Sequence, residues 1–307
     1  MSLPQGEMFN PLDLRKKVLA KASEFSFLPS YLGPFGMMKA LQREMSKGAV
    51  NPKVNFYAVE LSEYISFGKG FVIEQSQAHQ NEEAPFVIAF AHDAFSDSEF
   101  EESEALLEHL LLCFNDEELI PASREAYLST ILLGYMRIGR YFKGLRYAYA
   151  LEEAVSGGES YEILGRYLSM NLSFPKAADA YLKGAEAFLK DGNHAKAARL
   201  ACSGYAHLAQ IPGSSLPTEE EIKKKYGEEA PIVLAYPKRL AIKHDPVEFT
   251  PEFQRVYAQA MEEAYDEFEK RGKAHSFVLW EAMEEAFAKR GIAWKNPQKM
   301  NPNVKFD

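Results

Sequence analysis

The apolar residues of this chain recur mostly at intervals of three and four, which is the spacing of one buried helix face. The clearest example follows Thr250 and Pro251, a pair typical of a helix start; its apolar positions are Phe253, Val256, Tyr257, Ala260, Met261, Ala264, Tyr265 and Phe268. A second helix over residues 274–289 would complete an antiparallel hairpin. The tail from residue 294 is predicted to be extended and to pack on the body through Trp294.

The N-terminal part is predicted to be mainly helical. Asn10 and Pro11 indicate the start of a first helix, and a second is predicted over residues 37–47. Residues 51–87 are ambiguous, because residues 54–61 and 71–73 have the composition of strands and glycines follow nearby. A helix and a small β-hairpin both remain open there.

The middle of the chain, residues 126–211, has the pattern of consecutive helix–turn–helix hairpins. Its apolar periods are interrupted by short turns that contain glycine, as at Gly139 and at Asp191-Gly192-Asn193. The small residues Gly139, Gly165 and Gly184 would let neighbouring helices approach closely. Stacked hairpins of this kind build recognition surfaces more often than catalytic sites.

This segment resembles tetratricopeptide repeats in the order of its large and small residues. Tyr135, Gly139 and Tyr141 fall on the large, turn and large positions of one hairpin, and the next hairpin starts about 33 residues later. The matching positions of that second hairpin are Leu164-Gly165, Ala177, Tyr181 and Gly184. Several positions depart from the family pattern: Ile131-Leu132, Gly144, Leu151 and Leu172, and neither unit has the closing proline. An ordinary helical bundle remains the alternative.

The resemblance implies that the first helix of each hairpin lines a groove that binds a protein or peptide. In the register above, the groove positions are Ser129, Leu133, Met136, Arg137, Glu162, Arg166, Ser169 and Met170. Arg137 and Arg166 could hold a carboxylate by paired hydrogen bonds. The alternative is that these residues form a solvated helix face.

The predicted fold is therefore all-α or nearly so, in three parts. Residues 1–120 form an N-terminal helical region, residues 121–213 form the hairpins that resemble tetratricopeptide repeats, and residues 214–307 form a linker, a helix pair and the tail. In the linker, Thr218 and Glu221 have the spacing of a capping box.

Charge limits the kinds of partner that we expect, and the cysteines and the hydropathy pattern indicate the cellular compartment. The net charge of -9 disfavours nucleic acids and anionic membranes. The two cysteines, Cys113 and Cys202, lie in apolar helical patterns and are predicted to be buried free thiols. The absence of a signal pattern and of a long apolar stretch favours the cytoplasm.

Candidate chemistry is sparse. His79, His92-Asp93 and His109 lie near many carboxylates, but their spacing does not match a metal site, and neither a phosphate-binding glycine loop nor a nucleophile elbow occurs. We therefore expect a non-enzymatic scaffold or adaptor without a cofactor or metal. Two alternatives remain: an enzyme that uses His92, Asp93 or glutamates in a pocket between the N-terminal region and the hairpins, and a self-assembling protein, such as a homodimer through the C-terminal hairpin or tail.

Overall fold

A computed structural model describes residues 10–29, 32–48, 51–78, 84–97, 101–236, 242–271 and 276–305. These residues are overwhelmingly helical, and none of them lies in a strand. Contacts divide the chain into two compact units, Met1–Gly139 and Arg140–Asp307. The predicted three-part division stays a prediction.

Unit 1 contains six α-helices among its described residues. They are α1 (Pro11–Lys21), α2 (Pro34–Met45), α3 (Pro52–Ala78), α4 (Ala84–Ser96), α5 (Ser103–Cys113) and α6 (Pro121–Arg137). Short 3₁₀ turns cover Ala22–Glu24 and Asp116–Glu118.

Unit 2 continues the helical pattern to the end of the chain. Its helices are α7 (Leu145–Ala154), α8 (Gly158–Met170), α9 (Phe174–Lys190), α10 (His194–Leu208), α11 (Glu219–Tyr226), α12 (Ala230–Leu234), α13 (Pro251–Lys270), α14 (Ser276–Ala288) and α15 (Pro297–Met300). Short 3₁₀ turns cover Tyr141–Gly144, Gly227–Glu229 and Pro246–Phe249.

Three predicted helix starts are confirmed by their caps. The Asn10 side chain accepts the Leu12 N–H at 2.9 Å, and the Thr250 hydroxyl accepts a backbone N–H in the first turn of α13. At α11, Thr218 and Glu221 form the predicted capping box. Each side chain satisfies a backbone donor that has no partner inside the helix.

The strand alternative for residues 51–87 is wrong within the described part. Residues 52–78 form the continuous helix α3, and α4 starts at residue 84. The core of unit 1 explains the unusual composition, because α3 packs against α4 through an aromatic cluster. Its members are Tyr64, Phe67, Phe71, Phe86 and Phe90. Aromatic residues with strand-like propensity are thus used here to fill a helix–helix interface.

The segment predicted to be a linker is packed onto the hairpins of unit 2. Ile222, Tyr226 and Val233 are buried in one cluster with apolar residues of α9 and α10. The tail is not extended throughout, because Pro297–Met300 forms α15. Its Trp294 packs as predicted and is buried against Phe287 of α14.

Both cysteines are free and buried, as predicted. The Cys113 thiol donates to the Val72 carbonyl at 3.6 Å, and burial raises the pKa of this thiol to about 12. Cys113 is therefore held in its neutral form at physiological pH.

The turn between α8 and α9 contains a residue in an unfavourable backbone conformation. Leu172 has a φ of +53°, in the left-handed region that glycine occupies more easily. Its carbonyl accepts the Gln254 side-chain N–H at 2.8 Å, and its side chain packs on the core cluster of α13 and α14. These contacts hold the turn in place.

Candidate functional site

Glycines set the spacing of α8, α9 and α10. A Cβ atom on Gly165 would lie 2.8 Å from the Tyr181 ring, and one on Gly184 would lie 2.7 Å from the Leu200 side chain. Real Cβ atoms do not approach so closely, so these glycines are required for the observed packing. The sequence therefore correctly predicted that Gly165 and Gly184 let neighbouring helices lie side by side. The same prediction is wrong for Gly139, which has a φ of +71° and where a Cβ atom would meet nothing within 4 Å.

The same contacts show that successive helices run antiparallel. Along α8 and α9, Gly158 contacts Phe188 and Gly165 contacts Tyr181, so residue numbers rise on one helix as they fall on the other. Gly204 of α10 contacts Leu182, which gives the same relation between α9 and α10. Helices α8 and α10 are therefore parallel to each other, and both are antiparallel to α9.

Two polar contacts link α8 directly to α10. The Lys196 ammonium lies 2.7 Å from the Glu159 carboxylate, and the Ser169 hydroxyl lies 2.7 Å from Nε2 of His207. These pairs are separated by 37 and 38 residues in the sequence, which confirms the parallel register. They mark the two ends of a face that α8 and α10 share.

The Ser169–His207 contact has a defined proton arrangement. Nδ1 of His207 lies 2.8 Å from the Ser203 carbonyl, which can only accept, so Nδ1 carries the proton and Nε2 accepts from the Ser169 hydroxyl. Burial lowers the pKa of His207, the bond to the Ser203 carbonyl opposes this shift, and the nearby His244 lowers the pKa further. The imidazole is therefore neutral at pH 7.

A serine paired with a neutral imidazole also occurs in nucleophilic catalysis. In those sites a third group orients the base, and it is commonly a carboxylate. Here a backbone carbonyl orients His207, and Ser169 lies inside a helix instead of on a sharp exposed turn. The Ser169–His207 pair is therefore better explained as a structural contact that fixes the axial register of α8 and α10 than as a catalytic centre.

A second histidine, His244, lies near His207 at the same end of the face shared by α8 and α10. His244 packs on Phe174 with ring centroids 4.3 Å apart, and its Nδ1 donates to the Glu248 carboxylate at 3.0 Å. Glu248 is only 1% exposed and also accepts the Trp294 indole N–H at 2.6 Å. The buried carboxylate thus joins this segment to the tail and is fully used in structural contacts.

Between the two linking contacts, the shared face carries two exposed arginines. Helical spacing places Glu162 and Arg166 between Glu159 and Ser169, and it places Arg199 and Ser203 between Lys196 and His207. Glu162, Arg166 and Arg199 are exposed. Within the described residues, neither arginine has an ion-pair partner, whereas the nearby Lys176, Lys183 and Lys196 are each paired.

The register gives the relative position of the two arginines. An offset of 37 residues puts Arg199 level with Glu162, so Arg166 lies four residues further along, about 6 Å at 1.5 Å per residue. Two guanidinium groups on adjacent helices at this stagger could contact one carboxylate or two neighbouring ones.

The eight predicted groove residues lie on two helices. Glu162 and Arg166 of α8 are exposed, while Ser169 and Met170 are half-buried at the end of the helix. The other four are on α6 in unit 1: Ser129 is buried and bonded to the Glu125 carbonyl, Leu133 and Met136 are half-buried, and Arg137 is exposed. That all eight form one groove stays a prediction.

Sequence reasoning missed the contribution of α10. Arg199, Ser203 and His207 recur at intervals of four, which places them on one side of a helix. That spacing was a usable signal. It was overlooked because the third hairpin did not continue the repeat register of the first two.

A polar cleft of about 300 Å³ lies elsewhere in unit 2, between the start of α8 and the second half of α9. Tyr161, Lys183, Glu186 and Lys190 are among the residues that line it. Lys183 is paired with Asp179 at 2.8 Å. The cleft therefore presents both charge signs and has no clear preference for an anion or a cation.

The residues considered for an enzyme in unit 1 are held in structural contacts. Arg15 binds the Asp93 carboxylate through two hydrogen bonds of 2.7 Å, and the Tyr64 hydroxyl lies 3.4 Å from the same group. His109 is bonded to Ser76, and His79 lies outside the described residues. Across the described part of the chain, no group of three or more His, Cys, Asp or Glu side chains is arranged to hold a metal ion.

Comparisons with protein-family models, with curated proteins and with solved structures give no significant match to this chain. In the parts of the chain that the structure describes, none of the helices combines the length and apolar character needed to cross a bilayer.

Proposed function

We propose that this protein is a non-enzymatic scaffold or adaptor, and that the face shared by α8 and α10 binds a peptide segment of a protein partner through its carboxylates. The observation that carries this proposal is the pair of exposed arginines, Arg166 and Arg199, which lie on adjacent parallel helices and have no ion-pair partner among the residues that the structure describes. A cytoplasmic location is part of the same proposal.

The helix arrangement supports a helical-repeat protein. In tetratricopeptide repeats the first helices of successive hairpins run parallel and line the groove, and α8 and α10 have that relation through the intervening α9. The proposal adds Arg199 to the predicted groove residues of α8. The contribution of Arg137 and its neighbours on α6 remains part of the prediction from the sequence.

The charge balance of the chain makes this face distinctive. With a net charge of -9, the protein as a whole repels an acidic peptide. Two arginines without internal partners can form charge-assisted hydrogen bonds to a carboxylate without first breaking an ion pair. The face therefore selects a terminal carboxylate, or Asp and Glu side chains, over neutral sequences.

The direct test uses fluorescein-labelled ten-residue peptides and fluorescence anisotropy. One peptide is acidic with a free C-terminal carboxylate, a second is the same sequence with a C-terminal amide, and a third has Asp and Glu replaced by Asn and Gln. The wild-type protein should bind the first most tightly. The double variant Arg166→Gln/Arg199→Gln should bind it at least tenfold more weakly, because charge-assisted hydrogen bonds contribute about 1.5–3 kcal/mol each.

The matched control is Arg255→Gln combined with Lys224→Gln. Arg255 and Lys224 are exposed, lie on α13 and α11, and have no ion-pair partner within the described residues, so the double control removes the same charge from unit 2. The control should bind like the wild type. Equal binding of acidic and neutral peptides by the wild type, or unchanged binding by the arginine double variant, would rule out this face as the site.

A further inference from the structure

Helix α3 has a face that is largely exposed in the described part of unit 1; at one end of it the Lys21 ammonium of α1 lies 4.5 Å from the centroid of the Phe56 ring. Its buried residues include Val54, Tyr57, Ala58, Leu61, Tyr64 and Val72. The opposite side carries six exposed residues at intervals of three, four, three, four and three: Phe56, Val59, Glu63, Ser66, Gly70 and Ile73. This is the spacing of the contact positions of a coiled coil.

The apolar members of this seam are strongly exposed for their type. Phe56, Val59 and Ile73 are 51%, 56% and 42% exposed. Between them lie Glu63, Ser66 and Gly70, and a Cβ atom on Gly70 would meet nothing within 4 Å. Large apolar residues therefore stand near the two ends of the seam, with one carboxylate and two small residues between them.

We propose that a second copy of this chain docks antiparallel on the α3 seam and forms a two-fold symmetric dimer. The intervals read the same in both directions, so an antiparallel partner aligns every seam position. Phe56 then meets Ile73 of the second copy, Val59 fills the space above its Gly70, and the Ser66 hydroxyl of each copy donates to the Glu63 carboxylate of the other.

Charge on the flank of the seam selects the antiparallel orientation. Lys53 and Glu74 occupy equivalent heptad positions near opposite ends of α3, both are exposed, and neither has an ion-pair partner within the described residues. In an antiparallel pair, Lys53 of one copy faces Glu74 of the other, and symmetry makes this contact twice. A parallel pair would instead place Glu63 against Glu63.

The decisive experiment is a charge exchange followed by sedimentation velocity over a range of protein concentrations at low salt. The wild type should show a monomer–dimer equilibrium. Lys53→Glu and Glu74→Lys should each weaken the dimer by about tenfold, because each turns two attractive contacts into repulsive ones. The double variant Lys53→Glu/Glu74→Lys should restore it, and mixing the two single variants should form a heterodimer.

Two further variants test whether a change in folding or in overall charge, and not a change in the seam, accounts for the result. A Cβ atom on Gly70 would have no neighbour within 4 Å, so the circular dichroism of Gly70→Leu should match the wild type while its dimer is at least tenfold weaker. Glu220→Lys, an exposed charge reversal on α11 in unit 2, should dimerise like the wild type. A wild type that stays monomeric at all concentrations, or single variants that dimerise unchanged, would overturn the proposal.

Discussion

Glycines inside helices occur both in the α8–α10 stack and on α3, but their surroundings differ. In the stack, Gly165 and Gly184 face side chains that leave no space for a Cβ atom. On α3, Gly68 is packed in the same way, since a Cβ atom there would collide with the Phe90 ring, whereas Gly70 faces open space. A helix-interior glycine costs about 1 kcal/mol relative to alanine, so the stack gains close packing in return, whereas Gly70 gains nothing within its own chain. The comparison suggests that the stack is shaped by internal contacts and that Gly70 suits an external one.

The variant Gly184→Leu tests this contrast and is expected to have the largest effect on stability. The new side chain would collide with Leu200 and with the Cβ atom of Tyr161, so overpacking should destabilise the stack by about 3 kcal/mol. Hydrogen–deuterium exchange of α8–α10 peptides would show the loss as faster exchange. Gly70→Leu is the matched control, and equal acceleration of exchange by both variants would remove the distinction between the two regions.

A smaller effect of opposite sign is expected from Gly70→Ala. Alanine meets no neighbour there and loses less backbone entropy on folding, so the monomer should gain about 1 kcal/mol of stability. Thermal denaturation at low protein concentration measures this gain. A loss of stability in the monomer would mean that Gly70 has an internal role that its surroundings do not show.

The smallest expected effect is a pH dependence of stability in the α8–α10 stack, which comes from the hydrogen-bonded His207 and not from apolar packing. Because the pKa of His207 is lowered below its ordinary value of 6.5, its neutral form stabilises the fold fully above pH 6.5. That contribution is lost as the pH falls from 6.5 through the lowered pKa. The protection factors of α10 peptides, which correct for the slower intrinsic exchange of amides in acid, should therefore fall in mild acid, and His207→Gln should reduce this pH dependence.

The control for this titration is His194→Gln at the exposed start of α10. It removes a histidine from the same helix without touching the Ser169 contact, so its pH dependence should follow the wild type. If His207→Gln also follows the wild type, the Ser169–His207 bond does not contribute to the pH response.

Local signals in the sequence predicted three helix starts with their caps, because caps such as Asn10 and Thr250 act within a few residues. Helix α3 was ambiguous because its exposed face carries Phe56 and Val59, so apolar residues occur on both sides and weaken the helical period. Of the residues on the proposed α8–α10 face, Arg166 and Ser169 were predicted from the sequence because they lie in a hairpin that fits the repeat spacing. Arg199 and His207 were missed because α10 follows α8 by 37 to 38 residues instead of about 33.

The conformation of Leu172 has a consequence for dissecting this protein. A left-handed leucine is unfavourable on its own, by about 1–2 kcal/mol, and its supporting contacts come from helices almost a hundred residues later. An excised fragment that ends before residue 242 would lose those contacts, and its turn between α8 and α9 would be free to relax. Binding studies with the isolated hairpins would then report on a differently shaped surface, so the full chain is the appropriate reagent.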